Sequence, residues 1–128
     1  MGRIVTNIVV SNVAHPEQRI ETSAMVDTGA AYLTLPMAWR DQLGVFPKNK
    51  PITVELANQT TTDGLVCAPV RIDIEGFDEV YTEALFVEME PRDGQYETLL
   101  GYLPLETAQV AVDMLGHRLV PVKHADLK

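Results

Sequence analysis

The run Val26-Asp27-Thr28-Gly29-Ala30 places a single carboxyl group at the end of an alternating apolar segment, immediately before a turn-forming glycine. An acid–base reaction needs one group that takes a proton from a reactant and another that donates a proton. Two carboxyl groups can fill both roles. Because the chain carries this run once, a second copy of the chain would have to supply the other carboxyl group.

Two carboxyl groups placed about 3 Å apart are expected to share one proton. At an effective dielectric constant of about 20, two carboxylates at that separation repel by roughly 5–6 kcal/mol, a difference of about four in pKa. One group therefore stays protonated where the other has ionised, and the two protons belong to the pair rather than to either residue. A two-fold axis is the simplest way to bring identical groups so close.

Two motifs in the chain are similar to those of one enzyme family. Residues 24–30, which read Ala-Met-Val-Asp-Thr-Gly-Ala, resemble the active-site motif of the retropepsin-like aspartic proteases. Leu99-Leu100-Gly101 lies about seventy residues later and is similar to the family's hydrophobic-hydrophobic-glycine motif, which precedes a short helix. The resemblance extends from about residue 20 to residue 122. It is nearer to the bacterial and cellular single-domain members of clan AA than to the viral ones.

The resemblance implies a role for each residue around the carboxyl group, and the proton-sharing described above is the known behaviour of this family's aspartate pair. Asp27 would be the catalytic residue and would meet Asp27 of a second subunit in a symmetric homodimer. Thr28 would form a hydrogen bond across the axis. Gly29 would let backbone amides approach the carboxylate, and Ala30 would line the floor of the site.

The resemblance also implies supporting and substrate-binding residues. Three residues would pack beneath the active-site loop: Leu99, Leu100 and Gly101. The family covers its cleft with a β-hairpin flap, and residues 55–61 occupy the matching interval. Three residues would form the flap and hold the substrate: Ala57, Asn58 and Gln59. The implied activity is that of an aspartic endopeptidase that cleaves an extended polypeptide and needs no metal and no other cofactor.

Length and composition are compatible with this interpretation. With 128 residues, of which 46% are hydrophobic, we interpret residues 1–128 as a single domain with one continuous core. The formal net charge of −8 disfavours partners such as nucleic acid or an anionic membrane. The single cysteine, Cys67, excludes a disulfide within the chain and favours a reducing, cytoplasmic location. The apolar runs are too short and too often interrupted for a transmembrane helix or a secretory signal.

The periodicity of the apolar residues predicts roughly eight short strands and two short helices, with no regular alternation of strand and helix. This pattern favours a mostly β fold. The resemblance implies that this fold is the closed, barrel-like retropepsin fold. The helices are expected at 36–42 and 104–110, and a polar turn at 58–64. A long strand is expected at 65–75, where Pro69 indicates a sheet edge or a bulge. A hairpin is expected around residues 115–117.

Other interpretations remain open for the same residues. Asp27-Thr28-Gly29 could form an ordinary turn, because aspartate and glycine favour turns. The chain could also keep the fold as a binding or scaffold module without useful turnover, or serve as a structural β-domain of a larger assembly.

The remaining reactive side chains are expected to be structural. Cys67 lies in an apolar strand and is interpreted as a buried thiol rather than a nucleophile. Trp39 is expected to pack the first helix. The three histidines show no metal-ligand spacing and are expected at the surface: His15, His117 and His124.

Overall fold

Seven strands of the chain form one sheet that closes on itself. The structure is a computed structural model that describes residues 3–56 and 58–122, so the predictions for Ala57 and His124 lie outside the described residues. The sheet contains β1 (Val5–Asn12), β2 (His15–Val26), β3 (Leu33–Pro36), β4 (Lys48–Glu55), β5 (Thr61–Ile74), β6 (Val80–Val87) and β7 (Thr98–Leu100). A second, two-stranded sheet contains β8 (Val110–Asp113) and β9 (Arg118–Pro121). The two helices are a 3₁₀ helix (Met37–Leu43) and α1 (Tyr102–Thr107).

The order of strands in the large sheet is β1-β2-β7-β3-β6-β5-β4, and an additional pairing of β1 with β5 closes six of them into a barrel. The pairs β2–β7 and β3–β6 are parallel, and the other pairs are antiparallel. The expected mostly β, barrel-like fold is therefore confirmed.

Strand β5 closes the barrel because it is long enough to pair with two strands along one edge. Its first part pairs with β4 and its last part, from Val70 onward, pairs with β1, while β6 pairs along the other edge. The register against β6 shifts between Cys67 and Val70, which is where Pro69 lies. Of the two alternatives for Pro69, the structure shows the bulge, since a proline cannot donate a ladder hydrogen bond.

The barrel interior is filled by alternate residues of the strands. On β5, Val70, Ile72 and Ile74 are at most 1% exposed, as the apolar alternation predicts. The rings of Phe46 and Phe86 meet in this core with their centroids 6.1 Å apart.

One buried polar side chain connects β1 to the 3₁₀ helix. Asn12 is fully buried, and its Nδ2 donates to the carbonyl oxygens of Leu43 (2.7 Å) and Val45 (2.9 Å). Its Oδ1 accepts the backbone N–H of Ala14 at 2.9 Å. The buried amide is thus paired on both sides and fixes the end of the 3₁₀ helix against the barrel.

Two predicted boundaries were wrong for physical reasons. The predicted turn at 58–64 is shorter, because Thr61–Gly64 continue β5 opposite β4 in spite of their polar composition. The predicted helix at 104–110 begins earlier and ends earlier, as α1. Pro104 lies in the first turn of α1, where a helix does not use the missing N–H.

In the part of the chain that the structure describes, no helix is long and apolar enough to cross a membrane.

Candidate active site

The Asp27 loop connects β2 to β3 and crosses the end of β7, which lies between them. Strand β7 pairs parallel with β2, where Met25 faces Leu99, and antiparallel with β3, where Leu33 faces Leu100. The backbone N–H of Asp27 donates to the carbonyl oxygen of Leu100 at 3.0 Å. The two sequence motifs are therefore adjacent strands of one sheet, and the second motif supports the residue that carries the carboxyl group.

The first residues of α1 hold the rest of this loop. The backbone amides of residues 101–103 donate to the carbonyl oxygens of residues 30–32, at N···O distances between 2.8 and 3.1 Å. Amides at the start of a helix lack partners within it, so the loop supplies the partners that these three need. The loop is consequently fixed by main-chain bonds along its length, which is what a carboxyl group needs for precise placement.

A glycine is required at position 101 because the start of α1 lies very close to the backbone of the Asp27 loop. A Cβ at this position would lie 2.5 Å from the carbonyl oxygen of Tyr32, 2.6 Å from that of Ala30 and 2.7 Å from the carbonyl carbon of Ala31. The φ angle of Gly101 is −83°, which any residue can adopt. The glycine is therefore needed for space and not for an unusual backbone conformation.

The Asp27 carboxyl group is half-buried and asymmetrically bonded. Its Oδ1 accepts the backbone N–H of Gly29 at 2.9 Å, and the Asp27 carbonyl oxygen accepts the N–H of Ala30 at 3.1 Å. Among the described residues, none donates a hydrogen bond to Oδ2. One carboxyl oxygen is thus held by the loop, and the other is available for a ligand or a second carboxyl group.

A cavity of about 310 Å³ contains Asp27 and Thr28. Its other walls include Arg3 and Met25, together with Val112 and Met114 from the β8–β9 hairpin. Thr28 and Gly29 are exposed, and Ala30 is half-buried.

Residues 13–102 match the sequence profile of a family described as "Aspartyl protease", which is well over half of the chain and includes both motifs. The chain belongs to the aspartyl protease family. The resemblance inferred from the two motifs is thereby confirmed at the level of the family.

The fold of this aspartyl protease is also that of a solved retroviral enzyme. The chain is similar to EIAV protease complexed with the inhibitor HBY-793, with a TM-score of 0.59 and 18% identity over 82% of this chain and 86% of that one. At this identity the likeness shows a shared fold. No curated protein matches the chain.

Two of the residues expected at the flap, Asn58 and Gln59, lie at the end of the hairpin of β4 and β5. Both lie in its exposed turn, and Gln59 adopts a φ of 69°. The turn is closed by the N–H of Leu56, which donates to the carbonyl oxygen of Thr60 at 2.8 Å, and by Asn58 Oδ1, which accepts the N–H of Thr60 at 3.1 Å. The aspartyl protease therefore carries a β-hairpin at this interval, and a role for this hairpin in holding substrate stays a prediction.

Sequence reasoning missed Arg3 and the β8–β9 residues as neighbours of Asp27. The hairpin itself was predicted, with its turn near residue 116, but nothing in its composition indicates which part of the barrel it contacts. The pairing of Val5 with Met25 brings Arg3 to the wall of the cavity that contains Asp27.

Cys67, Trp39 and the two described histidines lie where the sequence predicts them, in the core or at the surface. Cys67 is fully buried, and burial raises the pKa of its thiol in spite of the nearby Arg40. His15 and His117 are exposed, and Trp39 packs against the core. Within residues 3–56 and 58–122, no group of three His, Cys, Asp or Glu residues could hold a metal ion.

The turn of the β8–β9 hairpin depends on Asp113. Its Oδ1 accepts the backbone N–H groups of Leu115 (3.1 Å) and Gly116 (3.0 Å), and its Oδ2 accepts Arg118 Nε at 3.2 Å. These bonds, of which that from Gly116 has the largest effect, hold the pKa of Asp113 below its ordinary value. The folded state thus favours the ionised carboxylate.

Asp113→Asn is expected to lower the stability of the protein at neutral pH. Because the folded-state pKa is depressed, the contribution of Asp113 is complete above the unfolded-state pKa and is lost as the pH falls through the folded-state pKa. The difference between wild type and Asp113→Asn should therefore shrink below about pH 4. Urea unfolding at several pH values measures this. Arg118→Gln keeps both backbone bonds and should cost less, and a difference that does not change with pH would contradict the prediction.

Proposed function

We propose that the protein is an aspartic endopeptidase that acts as a homodimer, in which Asp27 of each subunit faces the other across a two-fold axis. One observation carries the proposal. The carboxyl group has one oxygen held by the Gly29 amide and the other free of bonds from the described residues, on a loop fixed by main-chain bonds. A fixed carboxyl group with an available oxygen is what a shared-proton pair requires.

The chemistry follows from the pair. One carboxylate takes a proton from a water molecule, which attacks the carbonyl carbon, while the protonated partner donates to the carbonyl oxygen, so a tetrahedral intermediate forms and the shared proton is now on the other carboxyl group. When the C–N bond breaks, that carboxyl group protonates the leaving amine and its partner takes a proton from a hydroxyl group of the intermediate, so the pair ends with one proton, as it began. Thr28, exposed beside Asp27, would form a hydrogen bond across the axis and hold the two loops together. No metal or other cofactor takes part.

The surface beside Asp27 supports the dimer. If the two carboxyl groups meet, the residues that share the Asp27 cavity lie near the axis too, including Val112 and Met114. The hairpin that carries them exposes apolar side chains next to the cavity, with Met114 56% and Leu115 95% exposed. Exposed apolar side chains beside the Asp27 cavity are what an interface with a second copy of the chain would bury.

The substrate would be an extended polypeptide. An extended chain in the cleft can pair with strand edges through its main chain, and the β4–β5 turn with Asn58 and Gln59 would hold it from above. With a formal charge of −8 on each subunit, acid conditions would lower the repulsion between subunits as well as preserve the shared proton.

The test is cleavage of an unstructured protein such as casein at about pH 4–6, where the shared proton is retained, with and without pepstatin, alongside the solution mass from light scattering. We expect pepstatin-sensitive cleavage by a species of twice the chain mass. Cleavage by a species of single-chain mass would contradict the dimer. Peptide binding without any cleavage would favour the alternative of a binding or scaffold module that keeps the fold.

A further inference from the structure

A second and larger cavity lies next to the one that contains Asp27. It has a volume of about 540 Å³, and Arg3 and Met25 line both cavities. On β2, Ser23 and Met25 project to the same side of the strand, two residues apart, and both line this second cavity. The two cavities are therefore neighbouring parts of one groove that begins at the carboxyl group. The second is large enough for a side chain of a ligand held there.

The outer wall of this second cavity is an ordered loop. Arg92 and Gln95 exchange two backbone hydrogen bonds, at 2.9 and 2.8 Å, around a turn in which Asp93 and Gly94 have φ values of 51° and 77°. Tyr96 follows this turn, and its ring meets that of Trp39 edge to face with centroids 5.7 Å apart. Because the turn is closed by its own hydrogen bonds and the ring that follows it packs on Trp39, this wall of the cavity is formed in the folded chain.

The part of the second cavity nearest Asp27 is polar. Arg3 Nη2 lies 2.7 Å from Glu97 Oε2, and the same guanidinium donates to Met25 Sδ at 3.0 Å. The ion pair thus lies over Met25 at the boundary between the two cavities. Both partners are about half exposed, with side-chain exposures of 60% and 50%, so water hydrates them when the groove is empty.

We propose that this second cavity binds one side chain of the peptide substrate, and that Arg3 and Glu97 make it prefer a polar side chain over an aliphatic one of similar size. The proposal rests on the proposed function, since it takes the ligand of the groove to be an extended polypeptide. An aliphatic side chain would remove water from the ion pair and return no hydrogen bond, which is unfavourable. A side chain with an amide end, such as glutamine, replaces the lost water with its own donors and acceptors.

The kinetic test uses peptides that differ only in glutamine or leucine at each position around the cleaved bond. We expect the wild type to have a higher kcat/KM for glutamine at one position, by about tenfold. The double variant Arg3→Leu/Glu97→Leu should lose or reverse this preference, and Glu97→Gln, which keeps hydrogen-bonding capacity, should retain most of it. A wild type that prefers leucine at every position, or a double variant with an unchanged ratio, would overturn the proposal.

A matched control is available elsewhere in the chain. Lys48 Nζ and Glu83 Oε2 form an ion pair at 2.6 Å that lines neither cavity. Glu83→Gln should therefore leave the ratio of glutamine to leucine peptides unchanged. A change of the same size in this variant would show that the ratio reports general stability, and the assignment to Arg3 and Glu97 would be withdrawn.

A binding test separates this inference from the proposed function. In Asp27→Asn labelled at its methionine methyl groups, a glutamine peptide should shift the NMR signals of Met25, which lines both cavities, and of Met89, which lines only the second, and leave Met37 unaffected. Such shifts without cleavage by the wild type would support the cavity and contradict the protease. Cleavage without shifts at Met25 and Met89 would support the protease and overturn the cavity assignment. If neither cleavage nor shifts were observed, the protease and the cavity assignment would both be refuted.

Discussion

Asp27→Asn is expected to reduce the rate of peptide hydrolysis at least about a thousandfold, because neither acid nor base catalysis survives at a neutral amide. The side chain keeps its size, and an amide oxygen can still accept the Gly29 N–H that Asp27 Oδ1 accepts now. The variant should therefore retain the melting temperature and the solution mass of the wild type. Activity close to that of the wild type would refute the assignment of Asp27 as the catalytic residue.

Mixed dimers test whether the two carboxyl groups act together. If wild type and Asp27→Asn are unfolded together in equal amounts and refolded, random pairing gives wild-type homodimers as about one quarter of the total. If both carboxyl groups are needed, activity per wild-type chain falls to about half, and total activity varies with the square of the wild-type fraction. A linear dependence on that fraction would show that each subunit works alone, and the shared-proton mechanism would have to be abandoned.

Gly101→Ala is expected to have the largest effect on stability. The new Cβ would lie within 2.7 Å of three backbone atoms of the Asp27 loop, and backbone atoms cannot rotate aside as a flexible side chain can. Forced overpacking of this kind costs about 2–4 kcal/mol, which for a chain of this size lowers the melting temperature by roughly 8–15 °C. Thermal unfolding measures the change, and proteolytic activity should fall as well because the displaced segment carries Asp27.

Gly76→Ala provides the comparison for this prediction. Gly76 has a φ of 89°, but no atom lies within 4 Å of the point where an alanine Cβ would be, so the cost there is one of backbone strain alone, about 1 kcal/mol. Gly101 has an ordinary φ and a crowded Cβ position, so its cost is one of space alone. If Gly101→Ala proved no more destabilising than Gly76→Ala, the close packing of the loop against α1 would be disproved.

The strands could be predicted from the sequence where the local alternation of apolar residues agrees with the pairing of strands in the sheet. The alternation of Val70, Ile72 and Ile74 correctly predicted the inward face of β5, and the turn around Gly116 correctly predicted the β8–β9 hairpin. The apolar alternation that predicts β4 begins at residue 52, but the strand begins at Lys48. The early residues of β4 are polar or proline, and only their pairing with β5, such as Pro51 opposite Leu65, makes them a strand. A cross-strand partner of this kind is not visible in a local window of sequence.

The sequence predicted the residues of the Asp27 loop and its supporting strand better than it predicted the residues that line the cavity around them. The two motifs indicated that Asp27 and Leu100 belong together, and the structure joins them through a main-chain bond. The contribution of Arg3 and Met114 to the cavity depends on how β1 and the β8–β9 hairpin pack around the barrel. Neither residue lies in a motif, so sequence alone offered no signal for them.

The position of β7 between β2 and β3 affects the stage of folding at which the Asp27 loop becomes fixed. The carboxyl group belongs to the first third of the chain, whereas the strand and helix that immobilise its loop belong to the last third. Contacts between such distant segments form late in folding, because closing a long intervening stretch is entropically unfavourable. In a nascent chain the Asp27 loop would therefore stay unfixed until residues 98–103 had left the ribosome, and the proposed proteolytic activity would appear only after that point.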